Sequence, residues 1–248
     1  MATETHALDV AKAVEGAGQC WSCSAAVSTN AHFCENCGKV QPPAATDYFS
    51  FFGLPRTLNI DVPALEREFY RLSRKLHPDV YARAAVQEQE WSLEKSSRLN
   101  DAYRTLKDPI LRTQYLLKLE GVQLEEQSKA ATDQARVTGL EKKQVMPPEL
   151  LEEVFELNLQ LQELRMSKQM GEADPDTVEQ LCRAKTNFEN KLNELQQELG
   201  SYWNEWDAVV AHVDSPSRNQ VRDKMVDLLN RRSYIRNLVR DVNEALGD

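Results

Sequence analysis

From Glu149 to the end of the chain, apolar residues recur at alternating spacings of four and three, the repeat that draws one stripe along an α-helix. Leu150, Val154, Leu157, Leu161 and Leu164 form the first stripe. Asp174-Pro175, a capping side chain followed by a proline in the first turn, opens a second helix. Its stripe runs through Val178, Leu181, Phe188, Leu192, Leu195, Leu199, Tyr202, Trp206 and Val209, interrupted by Lys185. Asp214-Ser215-Pro216 breaks the chain again, and a third stripe follows through Val221, Met225, Leu228, Ile235, Val239, Val242 and Leu246, with Arg232 breaking it. Each stripe is too narrow to stand alone, so the three helices are predicted to form one bundle. With only 9 Gly and 10 Pro among 248 residues, and many Leu, Glu, Gln, Lys and Arg, the whole chain reads as all-α.

Charge narrows the functional classes. The net charge of −9 is uneven: residues 1–45 carry −2, residues 46–120 carry +1 and residues 121–248 carry −8. So acidic a C-terminal half repels phosphate backbones, which argues against nucleic-acid binding. No stretch approaches eighteen consecutive apolar residues, so no membrane span is expected. The segment Met1 to Gly18 has one Lys, no Arg and no apolar core, unlike a secretory signal or an Arg-rich transit peptide.

Four of the five cysteines fall within residues 20–37, spaced C-x2-C-x10-C-x2-C: Cys20, Cys23, Cys34 and Cys37. Each C-x-x-C turns two thiolates toward one point, and two such knuckles complete a tetrahedral S4 shell. Gly38 suits the bend that follows the second pair. A structural metal, zinc, is the expected occupant; thiolates alone do not discriminate against iron. A redox dithiol would follow a strand and open a helix, and no strand pattern surrounds these cysteines. Clustered cysteines point to a reducing compartment. His32 reads as a solvated loop residue and Cys182 as a buried or half-buried small side chain.

Between the cysteines and the bundle, a short aromatic helix from Asp47 precedes a helix capped by Asp61, with Pro63 in its first turn and Leu65, Phe69, Leu72 and Leu76 on its apolar face. The other faces hold Arg67, Arg71, Arg74 and Lys75. Proline at 78 ends the helix and sets His77, Pro78 and Asp79 on a turn. A second long helix follows, with Leu93, Leu99, Ala102, Tyr103 and Leu106 read as its apolar side, and Asp108-Pro109 starts another through Arg112, Tyr115, Leu116 and Leu119.

Lys75-Leu76-His77-Pro78-Asp79, with Leu99-Asn100-Asp101-Ala102-Tyr103-Arg104-Thr105-Leu106 and Tyr115-Leu116-Leu117-Lys118-Leu119, resembles the J domain of HscB-type co-chaperones. The leading tetracysteine module and helical C-terminal segment match eukaryotic members. The implied organisation is an N-terminal tail (1–19) expected to be disordered, a zinc knuckle (20–45), a four-helix J domain (46–120), a linker (121–145) and a three-helix bundle (146–248).

The resemblance implies that His77, Pro78 and Asp79 contact a DnaK-class ATPase chaperone, Asp79 pairing with a chaperone Arg. It implies that Arg67, Arg71, Arg74 and Lys75 meet an acidic patch on that chaperone. The chain would stimulate ATP hydrolysis without binding nucleotide or acting as an enzyme itself, and no Walker-type loop is present. It would deliver an iron–sulfur scaffold protein, gripped by Leu151, Glu152, Phe155, Glu156 and Tyr234. Leu151, Phe155 and Leu159 form a second apolar line beside the core stripe, which a wide core-facing stripe would explain equally well. Glu152 stands where the family typically has an apolar residue. Ser233 stands at the family's basic position, with Arg231 and Arg232 beside it, and a solvated face is the plain reading of those two arginines.

The family acts mainly in mitochondria, so the matrix is the implied location, with the cytoplasm an alternative because the N-terminus does not resemble an import signal. A homodimer is compatible with the resemblance. Two other readings remain at this point: a general J-domain co-chaperone binding unfolded clients, and a thiol oxidoreductase using the cysteine pairs.

Overall fold

The computed structural model describes residues 17–122, 147–171, 174–210 and 216–247. Most of the expected N-terminal tail and nearly all of the expected linker, residues 121–145, lie outside them. Seven α-helices are found among the described residues, in two compact units; one holds the chain up to Arg56 and Ile60–Leu111, the other Thr57–Asn59 and Arg112 onward.

The first unit begins with strands β1 (Ala17–Gln19) and β2 (Ala26–Ser28), paired antiparallel with Gly18 opposite Val27. A strand pair beside the first cysteines was not expected, and it draws Ala17–Gln19 out of the tail to which they were assigned. Three-residue strands are too short to print an alternating pattern. Helix α1 (Tyr48–Phe51) starts at Asp47, whose carboxylate accepts from the Ser50 amide and is held by Arg56 at 2.8 Å. Helix α2 (Val62–Leu76) is capped by Asp61, which accepts from the Ala64 amide at 2.9 Å. It ends at His77, whose extended backbone (φ −60°, ψ 132°) is what a following proline favours.

Helix α3 (Val86–Lys107) packs against α2. Phe69 and Tyr103 stack with centroids 4.1 Å apart, and the Tyr103 hydroxyl donates to Glu66 at 2.8 Å. The buried positions of α3 are Glu88, Ser92, Lys95, Leu99, Ala102 and Leu106, spaced four, three, four, three, four. The face expected to include Leu93 therefore does not: Leu93 is exposed, and the first half of the inward face is polar.

In the second unit, helix α4 (Pro109–Leu119), started by Asp108, contributes its residues from Arg112 onward. A 3₁₀ turn at Pro148–Leu150 leads into α5 (Leu151–Gln169), which Gly171 terminates at φ 107°. Helix α6 (Pro175–Val209) opens at Asp174, whose carboxylate accepts from the Thr177 amide. Helix α7 (Pro216–Leu246) runs antiparallel to α6, as Lys224–Glu205 and Arg231–Glu198 pairs show. Both α6 and α7 pack on α5. The expected stripes meet in the core through Leu157, Leu164, Leu181, Phe188, Leu199, Trp206, Met225, Leu228 and Val242, all essentially inaccessible. Cys182, one residue from Leu181, is exposed, against expectation, because it sits outside the stripe. Among the described residues no helix is long and apolar enough to cross a membrane.

Candidate functional site

Two turns of the same kind build the cysteine cage. Ser24 N–H donates to the Cys20 carbonyl and Gly38 N–H to the Cys34 carbonyl, each at 2.9 Å. The two closing residues share a left-handed backbone, φ 59° at Ser24 and 72° at Gly38. The four sulfurs lie within 4.8 Å of one another, with Cys20–Cys37 and Cys23–Cys34 at 3.7 Å. A tetrahedral ion with thiolates ~2.3 Å away needs sulfurs about 3.8 Å apart, so the cage fits one ion rather than a multinuclear cluster.

The surroundings favour thiolate at Cys20 and Cys23. Gln41 Nε2 donates to Cys20 Sγ at 3.4 Å, the Ser22 amide to the same sulfur at 3.5 Å, and Asn36 Nδ2 to Cys23 Sγ at 3.5 Å. Against desolvation, which opposes ionisation, the Cys23 and Ser22 amides and Gln41 bring the Cys20 thiol down to about 6. Cys37 moves the other way, to about 12: despite an amide bond at Lys39, desolvation and the neighbouring sulfurs hold its proton. All four sulfurs can ionise together only around a cation, so the set could hold a metal ion. His32 is no ligand. It is half-buried rather than solvated, its Nε2 lying 2.9 Å from the Phe51 carbonyl, and burial holds its pKa below the usual value.

The knuckle is seated on the polar half of α3. Lys39 bridges to buried Glu88, the Trp21 ring meets Trp91 edge-on at 5.6 Å, and Lys95 Nζ donates to the His32 carbonyl at 3.4 Å. Glu88, Ser92 and Lys95 are the residues missed in the sequence. Their only trace was the backward continuation of the Leu99–Ala102–Leu106 spacing.

His77 joins α2 to a 3₁₀ turn (Pro78–Tyr81) that Pro78 and Asp79 open. The Asp79 amide donates to His77 Nδ1 at 3.3 Å, which leaves Nε2 to carry the imidazole proton. The Asp79 carboxylate is 91% exposed and lies 3.4 Å from His77 Nδ1. Arg67, Arg71, Arg74 and Lys75 are all exposed along α2. Arg71 is committed to Glu68 at 2.6 Å, and Lys75 lies 5.6 Å over the Phe33 ring of the knuckle.

On α5, Leu151, Phe155 and Leu159 are 57%, 64% and 47% exposed, while Val154, Leu157 and Leu161 are buried, so the second line faces away from the core. The exposed line continues to Met166 and Met170, which the sequence reading left out. Glu152 and Glu156 are exposed beside it. Tyr234 on α7 is half-buried, which raises its hydroxyl pKa. Arg231 is not on a solvated face. It pairs with Glu198 at 3.3 Å and Asp227 at 3.2 Å and reaches Glu149 at 3.9 Å.

No family model matches the sequence. The mouse iron–sulfur cluster co-chaperone protein HscB is 32% identical over 182 residues, covering 71% of this chain and 70% of the mouse protein. The human protein of that name is 30% identical over 171 residues, 67% of this chain and 65% of the human one. A co-chaperone protein HscB homolog of Bordetella petrii is 46% identical over 92 residues, 37% of this chain and 54% of the bacterial protein. The fold is that of human HscB, with a TM-score of 0.61 at 21% identity over 92% of this chain and 98% of that one. HscB from Vibrio cholerae matches with a TM-score of 0.51 at 22% identity, over 80% of this chain and 96% of that one. A helical chain with a four-cysteine cage and an exposed His-Pro-Asp turn, related at this level to the mouse protein, belongs to the HscB co-chaperone family.

Proposed function

We propose that this chain is a co-chaperone of iron–sulfur cluster assembly, engaging a DnaK-class ATPase chaperone through His77, Pro78 and Asp79 and delivering the iron–sulfur scaffold protein to it. The single observation that carries the reading is the exposure of the His-Pro-Asp turn at the end of a helix bearing Arg67, Arg71, Arg74 and Lys75. A carboxylate 91% exposed makes nothing of the fold's interior and is placed to accept a partner's guanidinium. The basic side chains would steer and orient the encounter. The scaffold would lie on α5 against Leu151, Glu152, Phe155 and Glu156, with Tyr234 from α7. Beyond the usual grip, Met166 and Met170 offer adaptable apolar contact.

In this reading the chain binds no nucleotide and does no covalent chemistry. Zinc in the Cys20–Cys23–Cys34–Cys37 cage is structural. Residues 46–120 act as the J domain and 146–248 as the scaffold-binding bundle. The relatives in mouse, human and Arabidopsis thaliana support a mitochondrial location.

Steady-state ATPase measurement on the chaperone, with and without scaffold protein, tests the reading. The wild-type chain is expected to stimulate hydrolysis. His77→Gln and Asp79→Asn should abolish the stimulation while shifting stability by less than about 0.5 kcal/mol, as exposed substitutions do. No stimulation by the wild type, or full stimulation by His77→Gln, overturns it.

A further inference from the structure

Helix α2 ends with carbonyls that have no intrahelical donor. The last of them, on Leu76, faces α3. Ser92 Oγ donates to it at 2.7 Å and Ser96 Oγ at 2.6 Å, so both lone pairs of one carbonyl are taken by hydroxyls one helical turn apart. Ser92 is fully buried and Leu76 is inaccessible. Among the described residues no backbone donor takes this role: Pro78 has no N–H, and the Val80 amide goes to the His77 carbonyl at 2.9 Å.

The Leu76 carbonyl shares a peptide plane with the His77 nitrogen. Fixing the direction of that oxygen therefore fixes the plane from which the exposed turn begins. Past it the chain is directed by Pro78, the 3₁₀ bond at Val80 and the contact from the Asp79 amide to His77 Nδ1. We propose that Ser92 and Ser96 are positioning residues for the His77-Pro78-Asp79 turn, locking through the Leu76 carbonyl the orientation in which His77 and Asp79 meet the chaperone. This rests on the chaperone-contact reading above. The arrangement gives α3 a task apart from closing the hairpin: its polar inward face aims a turn it does not itself contain.

Position 96, half-buried, separates hydroxyl from bulk, because threonine and valine have nearly the same shape. Full-length Ser96→Thr, Ser96→Val and Ser92→Ala/Ser96→Val are compared with the wild type, well below their melting temperatures. Amide and imidazole NMR shifts of His77 and Asp79 report the turn, and chaperone ATPase titrations separate maximal stimulation from half-saturating concentration. Ser96→Thr is expected to keep wild-type shifts and stimulation. Ser96→Val should move the His77 and Asp79 signals, and the double variant should lower maximal stimulation about tenfold at saturating concentration, since a buried carbonyl is left without donors. Unmoved turn signals in the double variant, or moved signals with undiminished stimulation, overturn the proposal. A wild-type chain that stimulates nothing overturns the chaperone-contact reading instead, while the spectra still decide whether the hydroxyls set the turn.

Discussion

The ammonium of Lys39, one residue past the second cysteine turn, lies 2.9 and 3.0 Å from the two carboxylate oxygens of Glu88 on α3. The Glu88 side chain is 5% exposed and that of Lys39 46%, so the pair closes a buried carboxylate from its rim. Removing the lysine strands an acid in the interior, which costs more than the pair itself contributes. Lys39→Ala is expected to destabilise the first unit by roughly 1–2 kcal/mol, below the range for a fully buried pair because the ammonium is half in water. Adding Glu88→Gln to Lys39→Ala should recover part of the loss. Urea denaturation of the four corners of this double-mutant cycle measures the coupling; strictly additive effects would mean the contact is not made.

Metal removal should be felt beyond the cage. Without a cation, sulfurs within 4.8 Å of one another cannot all stay ionised, and the knuckle loses the constraint that shapes both of its turns. Trp21 sits on that knuckle and meets Trp91 of α3. Chelation is therefore expected to release one equivalent of metal per chain, change tryptophan emission as this contact opens, and lower the melting temperature. Cys34→Ser, at a buried ligand, should do the same without chelator. Elemental analysis and fluorescence check both, and the metal recovered identifies zinc or iron.

The backward run of the α3 stripe shows what the sequence could and could not display. Leu99, Ala102 and Leu106 were readable because they are apolar; Glu88, Ser92 and Lys95 continue the same spacing but read as surface. They are buried because the knuckle and the end of α2 supply partners for each, and partners distant in sequence leave no local pattern. The error with Leu93 follows directly, for it is the first apolar residue before Leu99 in the sequence, yet it lies on the exposed side of the helix. The cage, by contrast, was fully legible, since C-x-x-C spacing encodes its geometry. The line Leu151–Phe155–Leu159 was legible as a line, but its direction was not. Only the packing of α6 and α7 on the Val154–Leu157–Leu161 side shows that it faces outward.

Lys95 carries a pH signature. It is 3% exposed, and desolvation brings its pKa down from the usual value to about 8, only partly offset by Glu94. Between pH 8 and its normal titration near 10.5 the unfolded chain holds a proton that the folded chain has lost, so stability rises with pH across that window. Below pH 8 the ammonium is charged in both states and its burial costs the full amount, roughly 3 kcal/mol. Lys95→Met, of similar length, should therefore stabilise the protein at pH 7 by about 1–2 kcal/mol after the weak bond to His32 is forfeited. It should also flatten the difference between pH 8 and 10. Denaturation midpoints of wild type and variant at matched pH decide it; parallel curves would show that Lys95 is solvated.

Adjacent positions on α5 should separate binding from folding. Phe155 is 64% exposed and Leu151 57%, whereas Leu157 is 1% exposed in the bundle core. Truncating the exposed pair removes little buried area, so Leu151→Ala/Phe155→Ala is expected to move stability by no more than about 0.5 kcal/mol. Leu157→Ala leaves a cavity and should cost roughly 2–5 kcal/mol. Calorimetric titration with the scaffold protein should give the reverse order, with binding weakened at least about tenfold by the exposed pair if these side chains are central contacts. Leu157→Ala should leave affinity nearly unchanged at temperatures where it is folded. Scaffold affinity unaffected by the exposed pair would move the interface off this face of α5, and the acidic rim of Glu152 and Glu156 could then not be its border.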